Sequence, residues 1–276
     1  MRSAPTDTFP VVQRTGIRFF RRVTRYWIGH FRSVGQRGYF LRDIGRALAD
    51  PATYLPETVR QMKNIGVDSV PLTVIVAAFI GAVIALQTRY QLFPGVDLSL
   101  VGLAGRQMVI LELGPLLTAL VLTGRVGARM TAEIGTMRVT EQIDALETLA
   151  YDPVAFLVVP RFLAATVMLP VLVVLANAVG VYSGYLVGIY AADIPPASYV
   201  AGLRLGFGVF QVVYSLLKAT MFGAAIALVC AYEGYVTEAG AEGVGRSTAK
   251  AVVISSVNIL VLDALTAAVL APYLQA

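Results

Sequence analysis

The sequence is poor in charged residues, in cysteine and in histidine. Only 14% of its 276 residues are Asp, Glu, Lys or Arg, against about 25% in an average soluble domain. A chain with so little charge lacks the polar surface to face water on all sides. The single cysteine, Cys230, excludes an intrachain disulfide. The single histidine, His30, leaves a metal site or a histidine-based triad without the residues that it needs.

Apolar residues are abundant instead, at 57% of the chain with a mean hydropathy of +0.71. They are concentrated in long stretches, and about 20 helical residues span the roughly 30 Å hydrocarbon core of a bilayer. The sequence therefore predicts an all-α membrane protein with five transmembrane helices. The predicted crossings are residues 69–88, 107–124, 162–192, 205–232 and 251–276.

Residues 1–64 form a basic N-terminal region, with 12 Lys or Arg against 4 Asp or Glu. Apolar residues at helical spacing oppose a row of arginines, which predicts an amphipathic helix lying in the membrane interface. A soluble helix that packs on a partner would show the same pattern. The transmembrane domain then occupies residues 65–276. The apolar face comprises Phe20, Val23, Trp27, Phe31 and Val34, opposite Arg18, Arg21, Arg22, Arg25 and Arg32.

Lysine and arginine flank the crossings unevenly. Most lie in the N-terminal region and in the connections 125–161 and 233–250, while the other two connections hold Arg89, Arg106 and Arg204. Cytoplasmic loops are enriched in positive charge, so we expect the N-terminus in the cytoplasm. Five crossings cannot be two equal inverted halves, so symmetry would come more naturally from a homodimer.

One predicted crossing carries small residues at every fourth position, from Ala176 through Gly180 and Gly184 to Gly188. Such a face lets helix backbones approach closely. The sequence leaves open whether this face meets a second copy of the chain or a neighbouring helix of the same chain.

Glu112 is an ionisable residue in an otherwise apolar crossing. Such residues are costly in a bilayer and tend to mark a transport pathway or a polar partner. Because Pro115 removes a backbone hydrogen bond, we expect the helix to break at Gly114-Pro115 and Glu112 to line a cavity. A structural carboxylate paired with a neighbouring helix is the alternative. Lys218 and Asp263 are lone charges in later crossings, and we expect them to form structural ion pairs, either with each other or with the loop arginines.

A second wall of this cavity is predicted at the end of the first crossing. Ile84, Gln87 and Gln91 lie on one helix face beside Leu92, so that two amides adjoin aliphatic surface. A mixed lining suits an amphiphile with a polar head and apolar tails. Interfacial solvation of the helix end would explain the two glutamines equally well.

The connection after the second crossing contains a short acidic amphipathic helix, predicted at about residues 136–150. Thr140 is suited to cap it, and Glu141 and Asp144 fall in its first turn. Its apolar face needs a docking surface, which is either a partner protein or the ends of the chain's own crossings.

Residues 240–247 are similar to a phosphate-binding loop, but arginine replaces the required lysine and no strand pattern precedes them. We therefore expect no ATP site and no cofactor in this chain. Two other classes of function remain open on the residues alone. One is an ion-coupled carrier or channel that uses Glu112, Lys218 and Asp263 as a charge relay. The other is a membrane scaffold without cargo.

Several motifs together resemble the MlaE/YrbE permeases, which belong to ABC transporters associated with MCE proteins. The resemblance covers roughly residues 60–275 and is most specific over 112–161. The motifs are Glu112-Leu-Gly-Pro115, Gly124-Arg125-Val-Gly127, the run from Ala132 to Glu147, Asp152-Pro153 and Val159-Pro160-Arg161.

This resemblance implies a homodimeric permease subunit of the bacterial inner membrane that moves phospholipid between inner and outer membranes. Two copies of a separate ATPase would bind the cytoplasmic helix and supply ATP and magnesium. A hexamer of MCE proteins would lie on the periplasmic side, and a small accessory cytoplasmic subunit is a further candidate partner; nucleic acid is not expected.

The resemblance also assigns roles to individual residues. Leu111 stands where relatives often have arginine, which leaves a sterol or another hydrophobic cargo open. The implied lipid-binding residues are Ile84, Gln87, Gln91, Leu92, Leu111 and Glu112. The implied ATPase-coupling residues are Arg138, Glu141, Gln142, Asp144 and Glu147.

Overall fold

The computed structural model describes residues 38–49, 51–238, 240–270 and 273, and the amphipathic helix predicted over Phe20–Val34 lies outside them. The chain divides into two compact units, Met1–Arg46 and Ala47–Ala276. The described residues of the first unit, 38–46, belong to helix α1, which comprises residues 38–47. Ala47, the last residue of α1, is already counted in the second unit. The unit that holds the apolar helices thus begins at Ala47, whereas the sequence places the start of its transmembrane domain at residue 65.

Helices account for nearly all of the second unit, and no strand occurs among the described residues. The α-helices are α2 Pro51–Ile65, α3 Val70–Gln91, α4 Ser99–Gln107, α5 Gly114–Leu122, α6 Ala128–Val139, α7 Gln142–Thr148, α8 Val159–Tyr190, α9 Pro196–Arg204, α10 Val209–Tyr235 and α11 Ala241–Leu270. Two π-helical segments, Met108–Leu113 and Thr123–Gly127, join α4, α5 and α6 without interrupting the helical path. A third, Val154–Val158, leads directly into α8.

Five continuous helical runs are long and apolar enough to cross a membrane, which confirms the predicted all-α fold with five transmembrane helices. Most runs extend beyond the uncharged stretches that predicted them, because helix continues into polar residues at the membrane ends. The runs, called spans 1 to 5, are Tyr54–Gln91, Ser99–Val139, Val154–Tyr190, Val209–Tyr235 and Ala241–Leu270.

The helices α3 and α8 pack so closely that only glycine fits at their contact. A Cβ on Gly81 would lie 1.8 Å from the backbone oxygen of Gly180, and a Cβ on Gly184 would lie 3.0 Å from the backbone oxygen of Gly81. Ser183 Oγ adds a hydrogen bond of 2.7 Å to the carbonyl of Ala78. The small-residue face of α8 therefore meets a neighbouring helix of the same chain.

The helices α4 and α9 are also in close contact, at the start of span 2. A Cβ on Gly202 would lie 1.8 Å from the backbone oxygen of Ser99. Arg106 is only 3% exposed, and its guanidinium donates to the carbonyls of Leu203 at 2.9 Å and Leu205 at 3.0 Å. These carbonyls at the end of α9 have no helical N–H to bond. Arg106 is thus a buried capping residue and not the loop charge that the sequence predicts.

Tyr199 of α9 packs against α8. Its ring lies against Gly188, where an added Cβ would come within 2.8 Å of the ring, and its hydroxyl lies beside Gly184. Burial raises the pKa of Tyr199 to about 12, so this residue packs as a neutral side chain.

Candidate functional site

Glu112 lies in the π-helical segment Met108–Leu113, within the first half of span 2. The helix does not break at Gly114-Pro115: α5 begins at Gly114, and Pro115 lies in its first turn. Proline is tolerated in the first turn of a helix, and the wider π turn before it absorbs the irregularity. The predicted break is therefore wrong. A π-helical turn, a feature frequent at functional sites, holds Glu112 instead.

The carbonyl of Leu111 is the acceptor that residue 115 would use in a regular α-helix, and Pro115 has no N–H to donate. Lys218 of α10 provides a donor, with Nζ 3.3 Å from Leu111 O. The irregular turn therefore supplies both a side chain and a backbone oxygen to the same lysine.

Lys218 also contacts two carboxylates from different spans. Its Nζ lies 2.8 Å from Glu112 Oε2, in a hydrogen-bonded ion pair. The same Nζ lies 2.7 Å from Asp263 Oδ1, which is an ion pair by distance but lacks hydrogen-bond geometry. We call Glu112, Lys218 and Asp263 the charge cluster. It joins spans 2, 4 and 5, and it pairs Lys218 with Asp263, one of the two pairings that the sequence leaves open.

The three members of the charge cluster differ in exposure. The Lys218 side chain is 0% exposed and that of Asp263 11%, whereas that of Glu112 is 43% exposed. An ammonium taken out of water needs compensating partners, and the two carboxylates provide them. Two carboxylates and one ammonium give the charge cluster a formal charge of −1, and Glu112 is its most exposed member.

A polar pair lies one helical turn from Lys218. Asn177 Nδ2 of α8 donates to Ser215 Oγ at 3.0 Å, while Asn177 Oδ1 is buried and has no hydrogen-bond partner among the described residues. A Cβ on Gly114 would lie 2.0 Å from Asn177 Oδ1, so α8 meets span 2 at a glycine. We did not single out Asn177 from the sequence, because one amide among 31 uncharged residues is a weak signal.

An apolar groove of ≈ 490 Å³ opens beside this polar pair. Its volume falls within the roughly 300–1,000 Å³ of small-ligand sites. Ile110, which directly precedes Leu111 and Glu112, forms part of its wall. Asn177 is the one amide in an otherwise mainly apolar lining, which suits a ligand with apolar tails. The lining residues are Ile110, Asn177, Ala178, Val181, Tyr182, Tyr185, Val200 and Leu203.

The six predicted lipid-binding residues lie in different environments. Leu111 and Glu112 are partly exposed neighbours in the π segment, whereas Ile84 is buried in α3. Gln87 and Gln91 are both exposed near the end of α3, which agrees with interfacial solvation as well as with a lipid contact. Leu92 packs against the buried cluster of Ala85, Val101, Ile194 and Tyr199.

The acidic segment predicted over 136–150 consists of two helices. The helix α6 ends at Val139, and α7 comprises only Gln142–Thr148. Glu141 lies between them with a φ of 58°, in the left-handed region. Thr140 Oγ1 donates to Thr136 O at 2.8 Å, so this hydroxyl extends the end of α6. The prediction that Thr140 caps the acidic helix is wrong.

One face of α7 docks on the chain itself. Ile143 is 0% exposed, and Arg138 Nη1 of α6 lies 2.7 Å from Asp144 Oδ1. The Arg138 guanidinium also lies 5.9 Å from the ring centre of Tyr235. The remaining predicted coupling residues, Glu141, Gln142 and Glu147, are exposed.

A comparison with known protein families assigns this chain to one of them. The family model described as Permease MlaE matches residues 58–269, which include the charge cluster and α7. The chain belongs to the MlaE permease family. The prediction of a non-catalytic permease subunit is thereby confirmed.

Known relatives of this MlaE permease are similar over most of their length. A probable ABC transporter permease of Rickettsia prowazekii is 40% identical over 245 residues, which cover 87% of this chain and 92% of the relative. The intermembrane phospholipid transport system permease MlaE of Haemophilus influenzae is 31% identical over 257 residues, with 92% and 98% coverage. A probable ABC transporter permease of Synechocystis is 38% identical over 205 residues, with 74% and 78% coverage.

Proposed function

We propose that this MlaE permease is the membrane-spanning subunit of an ABC transporter that moves phospholipid between the inner and outer membranes of a bacterium. The observation that carries the proposal is the charge cluster in a π-helical turn, Met108–Leu113, that also contributes Ile110 to the wall of an apolar groove. A charged group at membrane depth, next to apolar walls, suits a ligand with a polar head and hydrocarbon tails. The Haemophilus influenzae relative is named for intermembrane phospholipid transport, which agrees with this class of cargo.

The charge cluster offers charges of both signs to a lipid headgroup. Glu112 is its exposed member and attracts the cationic part of a zwitterionic headgroup. Lys218 lies directly behind, with Nζ 2.8 Å from the Glu112 carboxylate, and becomes available to a phosphate when Glu112 shifts. Glu112 acts here as a polar wall of the transport path rather than as an acid or base. The acyl chains occupy the groove that Ile110 and Tyr185 line.

ATP is bound and hydrolysed on a separate ATPase in this proposal, and α7 is the helix that this ATPase contacts. The buried Ile143 and the ion pair of Arg138 with Asp144 hold α7 to its own chain. Glu141 and Glu147 are exposed and available to a partner. Because α6 is the last helix of span 2, a movement of α7 passes along that span towards Glu112.

The proposed assembly is a homodimer in the inner membrane with the N-terminus in the cytoplasm. It includes two ATPase subunits, a hexamer of MCE proteins on the periplasmic side and a small accessory cytoplasmic subunit. The basic N-terminal region supports this orientation. Ile75, Phe79 and Val83 form an exposed apolar row on α3, which membrane lipid or the second copy can cover.

Purification of the tagged chain from its native host in mild detergent, followed by mass spectrometry of proteins and lipids, tests this function. We expect an ATPase, an MCE protein and phospholipid to co-purify. Proteoliposomes containing the complex should then transfer a fluorescent phospholipid only when ATP is added. A chain that carries neither ATPase nor lipid, under conditions that preserve a known complex, contradicts the proposal. Transport by the chain alone that needs a proton or sodium gradient would favour an ion-coupled carrier.

A further inference from the structure

A second polar site lies where three spans leave the apolar part of the membrane. The uncharged stretch of span 1 begins after Asp68, and the uncharged stretch of span 3 begins after Arg161. In span 2, the stretch that is uncharged except for Glu112 ends before Arg125. The fold brings these three ends together. Arg125 Nη1 donates to the carbonyl of Asp68, and Arg125 and Arg161 line one cleft. The cleft therefore lies at the depth of lipid headgroups.

Positive charge dominates this cleft, which we call the arginine cleft. Three guanidinium groups and one carboxylate line it, a formal charge of +2. Glu57, which does not line the cleft, accepts a hydrogen bond of 2.8 Å from Gln61 Nε2. The polar lining residues are Gln61, Asn64, Arg125, Arg129, Glu133 and Arg161.

The one carboxylate of the cleft does not satisfy its arginines. Glu133 lies 2.7 Å from Arg129 Nε and 3.4 Å from Arg161 Nη2. Arg161 is only 7% exposed; its Nη1 donates to Leu157 O at 2.7 Å, and its Nε is buried without a partner among the described residues. A buried N–H donor without a partner is costly. The cleft thus has a surplus of both positive charge and hydrogen-bond donors.

We propose that the arginine cleft binds the phosphate group of an anionic phospholipid from the surrounding membrane. Guanidinium groups bind phosphate oxygens through short, charge-assisted hydrogen bonds. The volume of the cleft open to water-sized groups is ≈ 30 Å³, which has room for a phosphate oxygen or a water molecule or two. The rest of the headgroup would lie outside the cleft.

The arginine cleft shares no residue with the charge cluster or with the apolar groove, so this inference does not depend on the cargo. A phosphate that contacts Arg125, Arg129 and Arg161 connects span 2 to span 3. Arg129 belongs to α6, the helix that leads to α7. Anionic lipid would therefore stiffen the connection between α7 and the transmembrane spans.

Photolabelling of the full-length chain in phosphatidylcholine nanodiscs tests this site. The probe is a phosphatidic acid with a diazirine close to the headgroup end of one acyl chain, and the labelled peptides are mapped by mass spectrometry. We expect label on peptides that contain residues 61–66 and 157–162. Replacing both Arg125→Gln and Arg129→Gln should lower this labelling about tenfold, because each removes a charge-assisted contact. The charge-preserving pair Arg125→Lys and Arg129→Lys should keep most of it.

Arg125 and Arg129 are chosen because both are exposed, so their replacement leaves the buried Arg161 and the fold in place. The matched control is Arg246→Gln, an exposed arginine of α11 outside the cleft, which should not alter labelling. Labelling that survives in the double glutamine variant overturns the proposal. So does equal labelling by a phosphatidylcholine probe. Loss of label on adding inorganic phosphate would assign the cleft to free phosphate, and loss on adding the ATPase would assign it to a protein partner.

Discussion

Lys218 Nζ lies 2.8 Å from Glu112 Oε2, although 106 residues separate the two in the sequence. The lysine is fully buried, and Asp263 holds it from a third span. The less exposed pair, Lys218 with Asp263, can therefore persist while Glu112 exchanges its contact with Lys218 for one with a ligand. This division of roles within the charge cluster leads to separate predictions for its members.

Glu112→Ala should lower ATP-dependent phospholipid transport about tenfold, the equivalent of about 1.4 kcal/mol, without preventing assembly. Assembly should persist because Asp263 remains 2.7 Å from Lys218 and compensates its charge. Transfer of fluorescent phospholipid in proteoliposomes gives the rate, and size-exclusion chromatography reports assembly. Glu242→Ala, at a side chain that is 88% exposed, is the control and should transport normally. Normal transport by Glu112→Ala would remove Glu112 from the mechanism.

Lys218→Met should destabilise the fold by about 3–5 kcal/mol, because two carboxylates then remain at membrane depth without their cation. Adding Asp263→Asn should recover part of the loss, since it removes one of those charges. Thermal unfolding in detergent measures both effects. Lys63→Met, at an exposed position of α2, is the matched control. Equal unfolding temperatures for Lys218→Met and Lys63→Met would show that the cluster contributes nothing to stability.

Gly81→Ala should destabilise the pairing of α3 with α8 by several kcal/mol, because the new methyl group would meet the backbone oxygen of Gly180 at 1.8 Å. Gly245→Ala is the matched control, since Gly245 is in α11 with open space where a Cβ would lie. That change should stabilise α11 by about 0.5–1 kcal/mol through helix propensity. Unfolding in detergent compares the two variants, and a loss of similar size in both would contradict the close contact.

Glu141→Lys combined with Glu147→Lys should weaken binding of the ATPase at least tenfold, because two exposed carboxylates of the α7 segment change sign. Asp144 is left unchanged because it pairs with Arg138 within the chain, so its reversal would also disturb α7 itself. Co-purification of the ATPase with the tagged chain measures the effect. Glu238→Lys with Glu242→Lys reverses two other exposed carboxylates and serves as the control. Unchanged co-purification of the Glu141 and Glu147 variant would assign the segment a structural role.

The number and type of spans could be predicted from the sequence because bilayer insertion depends mainly on local composition. A run such as 69–88 is apolar regardless of what packs against it. Glu112 stood out for the same reason, as a charge in an apolar stretch. The presence of Pro115 did not by itself decide the local helix geometry. Pro115 is compatible with a broken helix or with a π turn, and the packing of span 2 against α8 and α10 selects the π turn.

Contacts between distant residues could not be predicted in this way. Arg106 and Arg161 are flanking charges in the sequence, yet the fold buries one as a cap of α9 and the other in the arginine cleft. Asn177 gave almost no signal within its apolar span, although it lines the groove. Gln87 and Gln91 share a predicted face and are both exposed, so their contact with lipid remains a prediction.

The sequence by itself determined that this protein is an α-helical membrane protein with five spans, that Glu112 lies at membrane depth and that acidic residues follow span 2. These properties follow from the transfer free energy of successive residues, which is a local quantity. Only the tertiary structure decided that Glu112, Lys218 and Asp263 form one cluster and that Arg125, Arg129 and Arg161 line one cleft. Contacts between residues on different helices depend on how the packed helices are shifted and rotated relative to one another. Close helix contacts, such as that of Gly81 with Gly180, fix these shifts and rotations.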